Sequence, residues 1–383
     1  MTASPEFHRT APHHRTAPHH DLSPTKGAPM DATAATTPHQ PAPRSRRRMA
    51  FAALAMTASA ALLAACAAPA ETSESTVDDS PVRFAVNWVP DVEWASLYVG
   101  ESEGYFEDEG VSIEIVHGGP NTPAVAQVLA AGQADIGIAS DELQLIKANE
   151  EGADYVVIGA MYQQSPSSYT WLSSTDISTA EDLVGKRIGG IQGDQIRIDA
   201  LFKINDLPVD YTFVPMGYDP QPLVDGEVDV ITSYATNQPI QLRQAGTEVT
   251  DQTFSEFGLK AYGDVIFASR AYLEENEDKV IAALRALIKA TEANMADPSV
   301  AVDLTVNEYA VDGGLDETFA TEANDGYISF IENDFTAANG ILMVDPEYME
   351  NEVFAGYLAA GETDLPDVAD FVDTSYMEAA HAQ

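Results

Sequence analysis

From Val82 to Ser269 short apolar runs alternate with helical periods, and beyond Tyr272 the chain is helical with no strand of its own. Residues 83–88, 111–117, 134–140 and 155–162 read as strands. Trp94, Leu97 and Tyr98 fall on one helical face, and 122–132 and 141–152 carry helical patterns. A second series follows. Ser178 with Glu181 has capping-box spacing; residues 186–204 are expected to give a strand, a glycine-bearing turn and a helix, and further strands are expected at 211–216, 228–234 and 263–270, with a helix at 236–246. Helical segments then run through 277–296, 298–310, 316–335 and 346–359. Alternating strands and helices demand a mostly parallel sheet covered by helices.

The order is one α/β unit, a second α/β unit, then a strand and helices. Helices without a sheet must bury their apolar faces on something, and the first unit is the natural partner. The expected fold is α/β, with two Rossmann-like lobes. Lobe 1 is 82–170 completed by a return strand and C-terminal helices at 263–383, and lobe 2 is 171–262. The chain should cross between lobes near 168–176 and 259–267, forming a two-segment hinge with a ligand cleft between the lobes.

The N-terminus has a different character. Arg44, Arg46, Arg47 and Arg48 precede an apolar run from Met49 to Ala65, the size of a signal-peptide core and short for a membrane span. The run ends Leu63-Ala64-Ala65-Cys66, which resembles the bacterial lipoprotein signal, in which the cysteine is lipidated. Residues 1–65 are therefore expected to be a signal peptide with an extended n-region. Residues 66–81, small and acidic, are expected to be a lipidated cysteine and flexible tether. The n-region holds six of the eight histidines and a tandem RTAPHH, consistent with a true start at Met30 or Met49. Cys66 is the only cysteine, so an internal disulfide is excluded.

Residues 1–65 carry seven Lys/Arg and three Asp/Glu; without them 12 basic and 58 acidic residues remain, a formal charge of −46. Nucleic acid is excluded as a partner, because its binding needs clustered cations. Catalysis has no obvious basis either. After residue 65 there are two histidines, His117 and His381, no cysteine nucleophile and no G-x-S-x-G. No cofactor or metal is expected.

Four blocks carry a family resemblance. VNWVPDVEWASLYVGESEGYFEDEGVSIEIV, VLAAGQADIGIAS, EDLVGKRIGG and GEVDVITSYATNQPIQL occur in order. Together they resemble the solute-binding lipoproteins of ABC transporters related to the yeast thiamine-pyrimidine synthase. The resemblance covers Val82 to Phe335. It implies a type II periplasmic-binding fold and a monomeric receptor outside the membrane, lipid-anchored at Cys66. Such a receptor closes on a small molecule and delivers it to a permease served by an ATPase. It also implies a heteroaromatic ligand, such as a pyrimidine precursor of thiamine. More distant members bind sulfonates, nitrate, taurine or flavin, so an anion or a flavin is the alternative. A pyrimidine-synthesising enzyme is remote, since the cysteine-rich motif of that branch is missing. An extracellular sensor module is equally remote.

Ligands of open α/β sheets sit beyond the carboxyl ends of the strands. That rule selects the candidates from the residues alone. Trp88 offers a stacking face and Asn87 a donor and acceptor on one amide. From a regular strand only one of these two can face the cleft; both can if the chain has already turned. Asp141 and Glu142 open a helix, where they either complement its dipole or accept from a ligand amine. Tyr162 and Tyr234 are placed to close an aromatic sandwich from opposite lobes. Gln192 and Asp194 lie in the glycine-bearing loop 189–195 at a helix N-terminus, a place suited to an anion. Asn237 follows the last strand of lobe 2. Arg197 is expected to pair with Asp194 or a neighbouring carboxylate.

Overall fold

The computed structural model describes residues 80–382, and order begins with strand β1 at Val82–Val86. The signal segment, Cys66 and nearly all of the tether lie outside the described residues.

Two five-stranded sheets form. The first contains β1, β2 (Ile113–His117), β3 (Ile136–Ala139), β4 (Tyr155–Tyr162) and β10 (Gly263–Ser269), in the order β2-β1-β3-β10-β4. The second contains β5 (Ser167–Leu172), β6 (Arg187–Gly190), β7 (Thr212–Pro215), β8 (Val230–Tyr234) and β9 (Val249–Thr253), in the order β7-β6-β8-β5-β9. Neighbours are parallel except at β10 and β5, which run against their partners. These are the strands next to the crossings.

Apart from the edge strand β2, the first sheet is buried on both faces, and side-chain alternation divides its residues. Val82, Phe84 and Val86 of β1 face one core with Ile266 and Ala268 of β10. Ala85 joins Val265 and Phe267 in the other. The C-terminal helices cover both faces. Glu277–Ala296 buries Val280, Ala283, Leu284 and Leu287, at i, i+3, i+4 and i+7, in the first core. Val353, Phe354, Tyr357 and Phe371 fill the second. These helices thus pack on the two faces of the first sheet. One of them reaches further: Ala360, which ends the helix Ala355–Ala360, belongs to the core of lobe 2, and its carbonyl accepts from Lys203 Nζ at 2.7 Å.

The crossings lie at 163–166 and 254–262, so the expected positions need correcting. Residues 168–172 are not a linker but most of β5, and β9 was not expected at all. Both strands are poor in aliphatic residues. In β5, Ser168 and Thr170 are fully buried yet polar, and both bond Ser233 Oγ, at 2.8 and 2.7 Å. A hydroxyl ladder holds this strand where an apolar run was the signal sought. The capping box also shifts by one residue. Asp182 Oδ2 accepts from the backbone N–H of Thr179 at 2.9 Å, ahead of a 3-10 turn at Ala180–Leu183.

Candidate functional site

Strand β1 ends at Val86, and Asn87 to Pro90 form a bend. The chain has thus already turned, and Asn87 and Trp88 both line one cavity of about 170 Å³ between the lobes. Lobe 1 also supplies Glu93, Ser140 and Tyr327. Lobe 2 supplies Ile191, Asp194, Arg197, Met216 to Tyr218, Ile231 to Tyr234, Asn237 and Gln238. Trp88 meets Tyr218 across the cleft, ring centroids 4.6 Å apart in an edge contact.

Of the sequence candidates, Asn87, Trp88, Asp194, Tyr234 and Asn237 line this cavity, while Asp141, Glu142, Tyr162 and Gln192 do not. Asp141 lies just behind it. One oxygen caps the helix Glu142–Glu150 by accepting from Gln144 N–H, and the other takes Arg197 Nη2 from lobe 2. Arg197's partner is therefore Asp141 across the cleft, and that carboxylate raises the Arg197 pKa further. Glu142 points the other way. It is fully buried, accepts from Tyr357 Oη at 2.9 Å, and burial pushes its carboxyl up to about 8. Gln192 is exposed.

Tyr162 is buried beneath the floor. Its hydroxyl donates to the Glu93 carbonyl at 3.3 Å and its ring stacks on Tyr327 at 5.3 Å. The ring facing Trp88 is Tyr218 instead. Tyr327, which sequence reasoning did not single out, comes from the C-terminal helix Glu317–Ile328. That helix is held to Glu277–Ala296 by a buried reciprocal amide pair, Asn294 with Asn324, at 3.1 and 2.8 Å. Only the return of a distant helix places this ring, and no local signal could have found it.

The glycine-bearing loop is filled from within. Asp194 Oδ2 accepts from Ile191 N–H at 3.0 Å and from Thr232 Oγ1 at 2.6 Å. A Cβ at Gly190 would lie 2.6 Å from Thr232 Oγ1 and 2.7 Å from Asp194 Oδ2. Glycine is needed there to admit the protein's own carboxylate. The loop amide expected to greet an anion already holds one.

The floor carries a second carboxylate group. Asp91, Glu93 and Asp264 are 6, 6 and 0% exposed. Asp91 Oδ1 accepts from Glu93 N–H at 2.8 Å, and Asp264 Oδ1 accepts from Asn87 Nδ2 at 3.1 Å. Burial raises all three carboxyls, most strongly Glu93, to which the neighbouring charges of Asp264 and Asp91 add. Among the described residues no group of three or more His, Cys, Asp or Glu is arranged to hold a metal ion. Sequence reasoning missed this group because PDVEW reads as the polar start of a surface helix.

Comparison with known proteins places this geometry. The NMT1/THI5-like family matches residues 91–301. The riboflavin-binding protein RibY of Chloroflexus aurantiacus is 27% identical over 77% of this chain and 86% of its own length. The 4-amino-5-hydroxymethyl-2-methylpyrimidine phosphate synthase of Aspergillus parasiticus is 25% identical over 58% of this chain and 69% of its own. The alkanesulfonate-binding protein SsuA from Xanthomonas axonopodis pv. citri has the same fold, with a TM-score of 0.54 at 18% identity over 77% of this chain and 99% of that one. With two lobes, two crossings and a cavity between them, the chain has the periplasmic-binding-protein fold and belongs to the NMT1/THI5-like family.

Proposed function

We propose that this protein is the extracytoplasmic solute receptor of an ABC importer, tethered through Cys66, and that it captures a flat, single-ring nitrogen heterocycle by closing its lobes. The observation that carries the reading is the cavity wall, where Trp88 of one lobe meets Tyr218 of the other. An indole and a phenol ring gathered at one cavity wall suit a planar ring, and an aromatic contact with it adds about 0.5–1.5 kcal/mol beyond the area buried. Size supports one ring: a cavity of roughly 150 Å³ accommodates benzene, and this one is about 170 Å³.

Charge weighs against an anion. Arg197 is tied to Asp141, the loop amide of Ile191 is tied to Asp194, and Glu93 lies in the wall. A sulfonate or nitrate would meet carboxylates and no unpaired cation among the cavity residues described. Riboflavin is the second reading, favoured by the likeness to RibY over most of both chains; its three fused rings require the lobes to part further.

The test is a thermal-shift and fluorescence titration of the purified protein with three probes: 4-amino-5-hydroxymethyl-2-methylpyrimidine, riboflavin and an alkanesulfonate. Ligand that binds the native state raises the melting temperature by mass action. The pyrimidine is expected to bind most tightly, and Trp88→Ala to weaken it about tenfold or more. Binding of the sulfonate alone would overturn the reading.

A further inference from the structure

The lobes also meet outside the cavity, along the lobe 1 helix Glu317–Ile328. From lobe 2, Thr236 and the helix Gln238–Gln244 lie against it. Ile240, 3% exposed, is buried in the lobe 1 core with Phe319, Ala320, Ala323 and Tyr327. Thr236, 1% exposed, sits on Gly326: a Cβ there would lie 3.0 Å from Thr236 Cγ2. Glycine inside a helix is less stable than alanine, and here it admits a residue of the other lobe. At the rim Glu322 Oε2 accepts from Gln244 Nε2 at 3.4 Å, and Glu322 Oε1 lies 3.9 Å from Arg243 Nε. Both rim contacts are long and exposed, so they hold little. Thr236, Ile240 and Gly326 are not among the residues that line the cavity.

One group in this seam is unsatisfied. Thr236 Oγ1 is buried and has no hydrogen-bond partner among the described residues. The groups around it in sequence are bonded: Tyr234 N–H donates to Gln238 Oε1 at 2.9 Å, and Asn237 Oδ1 accepts from Gln241 Nε2 at 2.6 Å. A buried hydroxyl without a partner raises the free energy of the state that buries it, and each such group calls for an explanation. Ile240 acts in the opposite sense, because its burial favours the state in which the lobes touch. The two effects are similar in size. They leave the seam close to balance.

We propose that Thr236 tunes the affinity of the receptor from outside the cavity: its unpartnered hydroxyl, seated on Gly326, weakens the closed state and shortens the time a ligand is held. This rests on the receptor reading above, in which closing captures the ligand and opening releases it. When the lobes part, water satisfies the hydroxyl. When they close, the hydroxyl is stripped and nothing replaces the water. Apparent affinity scales with the population of the competent state, so a residue that touches no ligand sets it.

The test compares the wild type with Thr236→Val, Thr236→Ser and Gly326→Leu. Ligand-free particles are measured by small-angle scattering. Binding and release are measured with 4-amino-5-hydroxymethyl-2-methylpyrimidine and riboflavin as probes. Valine keeps the shape of threonine and removes the hydroxyl. Thr236→Val is expected to bind whichever probe the wild type binds about tenfold more tightly, through slower release, and to be more compact without ligand. Thr236→Ser keeps the hydroxyl and should not tighten binding. Gly326→Leu wedges the seam apart and should weaken binding about tenfold or more, with an expanded particle. Unchanged release in Thr236→Val overturns the inference and leaves the receptor standing. Tightening by Thr236→Ser equal to that by Thr236→Val overturns it too. If neither probe binds the wild type, the ring-receptor reading fails, and the scattering alone decides whether Thr236 biases the lobes: identical profiles for wild type and Thr236→Val overturn the inference. If Gly326→Leu does not fold, the two Thr236 variants still decide.

Discussion

The two lobes share a frame at one end of their sheets and differ at the other. In lobe 1, Arg83 at the start of β1 clasps Asp135, just before β3: its backbone N–H and Nε donate to Oδ2 at 2.9 and 3.0 Å, and Nη2 to Oδ1 at 2.6 Å. Nη1 adds the Gly132 carbonyl at 2.8 Å. In lobe 2, Arg187 at the start of β6 clasps Asp229, just before β8, with the corresponding distances 2.8, 3.1 and 2.6 Å, and Nη1 takes the Gly226 carbonyl at 2.9 Å. The same knot ties two neighbouring parallel strands in each lobe. At the carboxyl ends the correspondence stops. Asn87 and Trp88 follow β1, whereas Ile191 and Gln192 follow β6. The amino ends hold the sheets together and the carboxyl ends carry the cavity, as the strand-end rule requires.

Packing between the frames is also redistributed. Two residues after the clasping aspartate stands Gly137 in lobe 1 and Ile231 in lobe 2. Gly137 lies opposite Phe267, and a Cβ there would meet that ring at 2.3 Å; Ile231 lies opposite Thr170. Lobe 1 fills the layer from β10, lobe 2 from β8. Gly137→Val should therefore destabilise by about 3 kcal/mol or more through overpacking, while Ile231→Val should cost only about 1 kcal/mol. Urea unfolding measures both, and equal costs would break the contrast.

Acid–base behaviour divides the lobes next. Burial raises Glu142 and Asp264 of lobe 1, whereas Asp182 and Asp229 of lobe 2 are lowered, by backbone N–H groups and by Arg187 respectively. Glu142 titrates near 8 in the fold against an ordinary 4.5. Its contribution is complete below about 4.5 and is lost as pH rises through about 8. The lobe 2 pair contributes above the ordinary aspartate range and is lost as pH falls through the lowered values. Glu142→Gln should lessen the alkaline loss by roughly 2–3 kcal/mol, visible as a melting temperature that declines less steeply between pH 5 and 8 than that of the wild type.

The smallest effect separates the two clasps. Asp135 is 14% exposed and Asp229 is 32%. Asp135→Asn should cost roughly 1–2 kcal/mol and Asp229→Asn under about 1 kcal/mol, because the better-hydrated pair is worth less. Thermal denaturation of the two variants reads the difference, and the reverse order would show that exposure does not set it.

How much of this was legible follows from where each signal resides. The alternation of elements and the return of the C-terminal helices were written in local periodicity and in an unpartnered apolar tail. Asn87 and Trp88 were found by their place at a strand end. The crossings were misplaced because β5 is held by hydroxyls on Ser168, Thr170 and Ser233, which look like loop chemistry in one dimension. The pairing of Tyr218 with Trp88 depends on how the lobes face each other. Glu93 and Tyr327 were invisible because only tertiary packing makes a carboxyl in PDVEW buried or brings residue 327 beside residue 93.

The helix Ala355–Ala360 has a mechanical consequence. Two covalent crossings alone would let the lobes swing apart like the covers of a book. Here a third fastening sits on one flank, where Lys203 grips the end of that helix and Tyr357 anchors it to Glu142. Any opening of the mouth must either break this fastening or pivot about it, so the two flanks of the cleft are not equivalent doors.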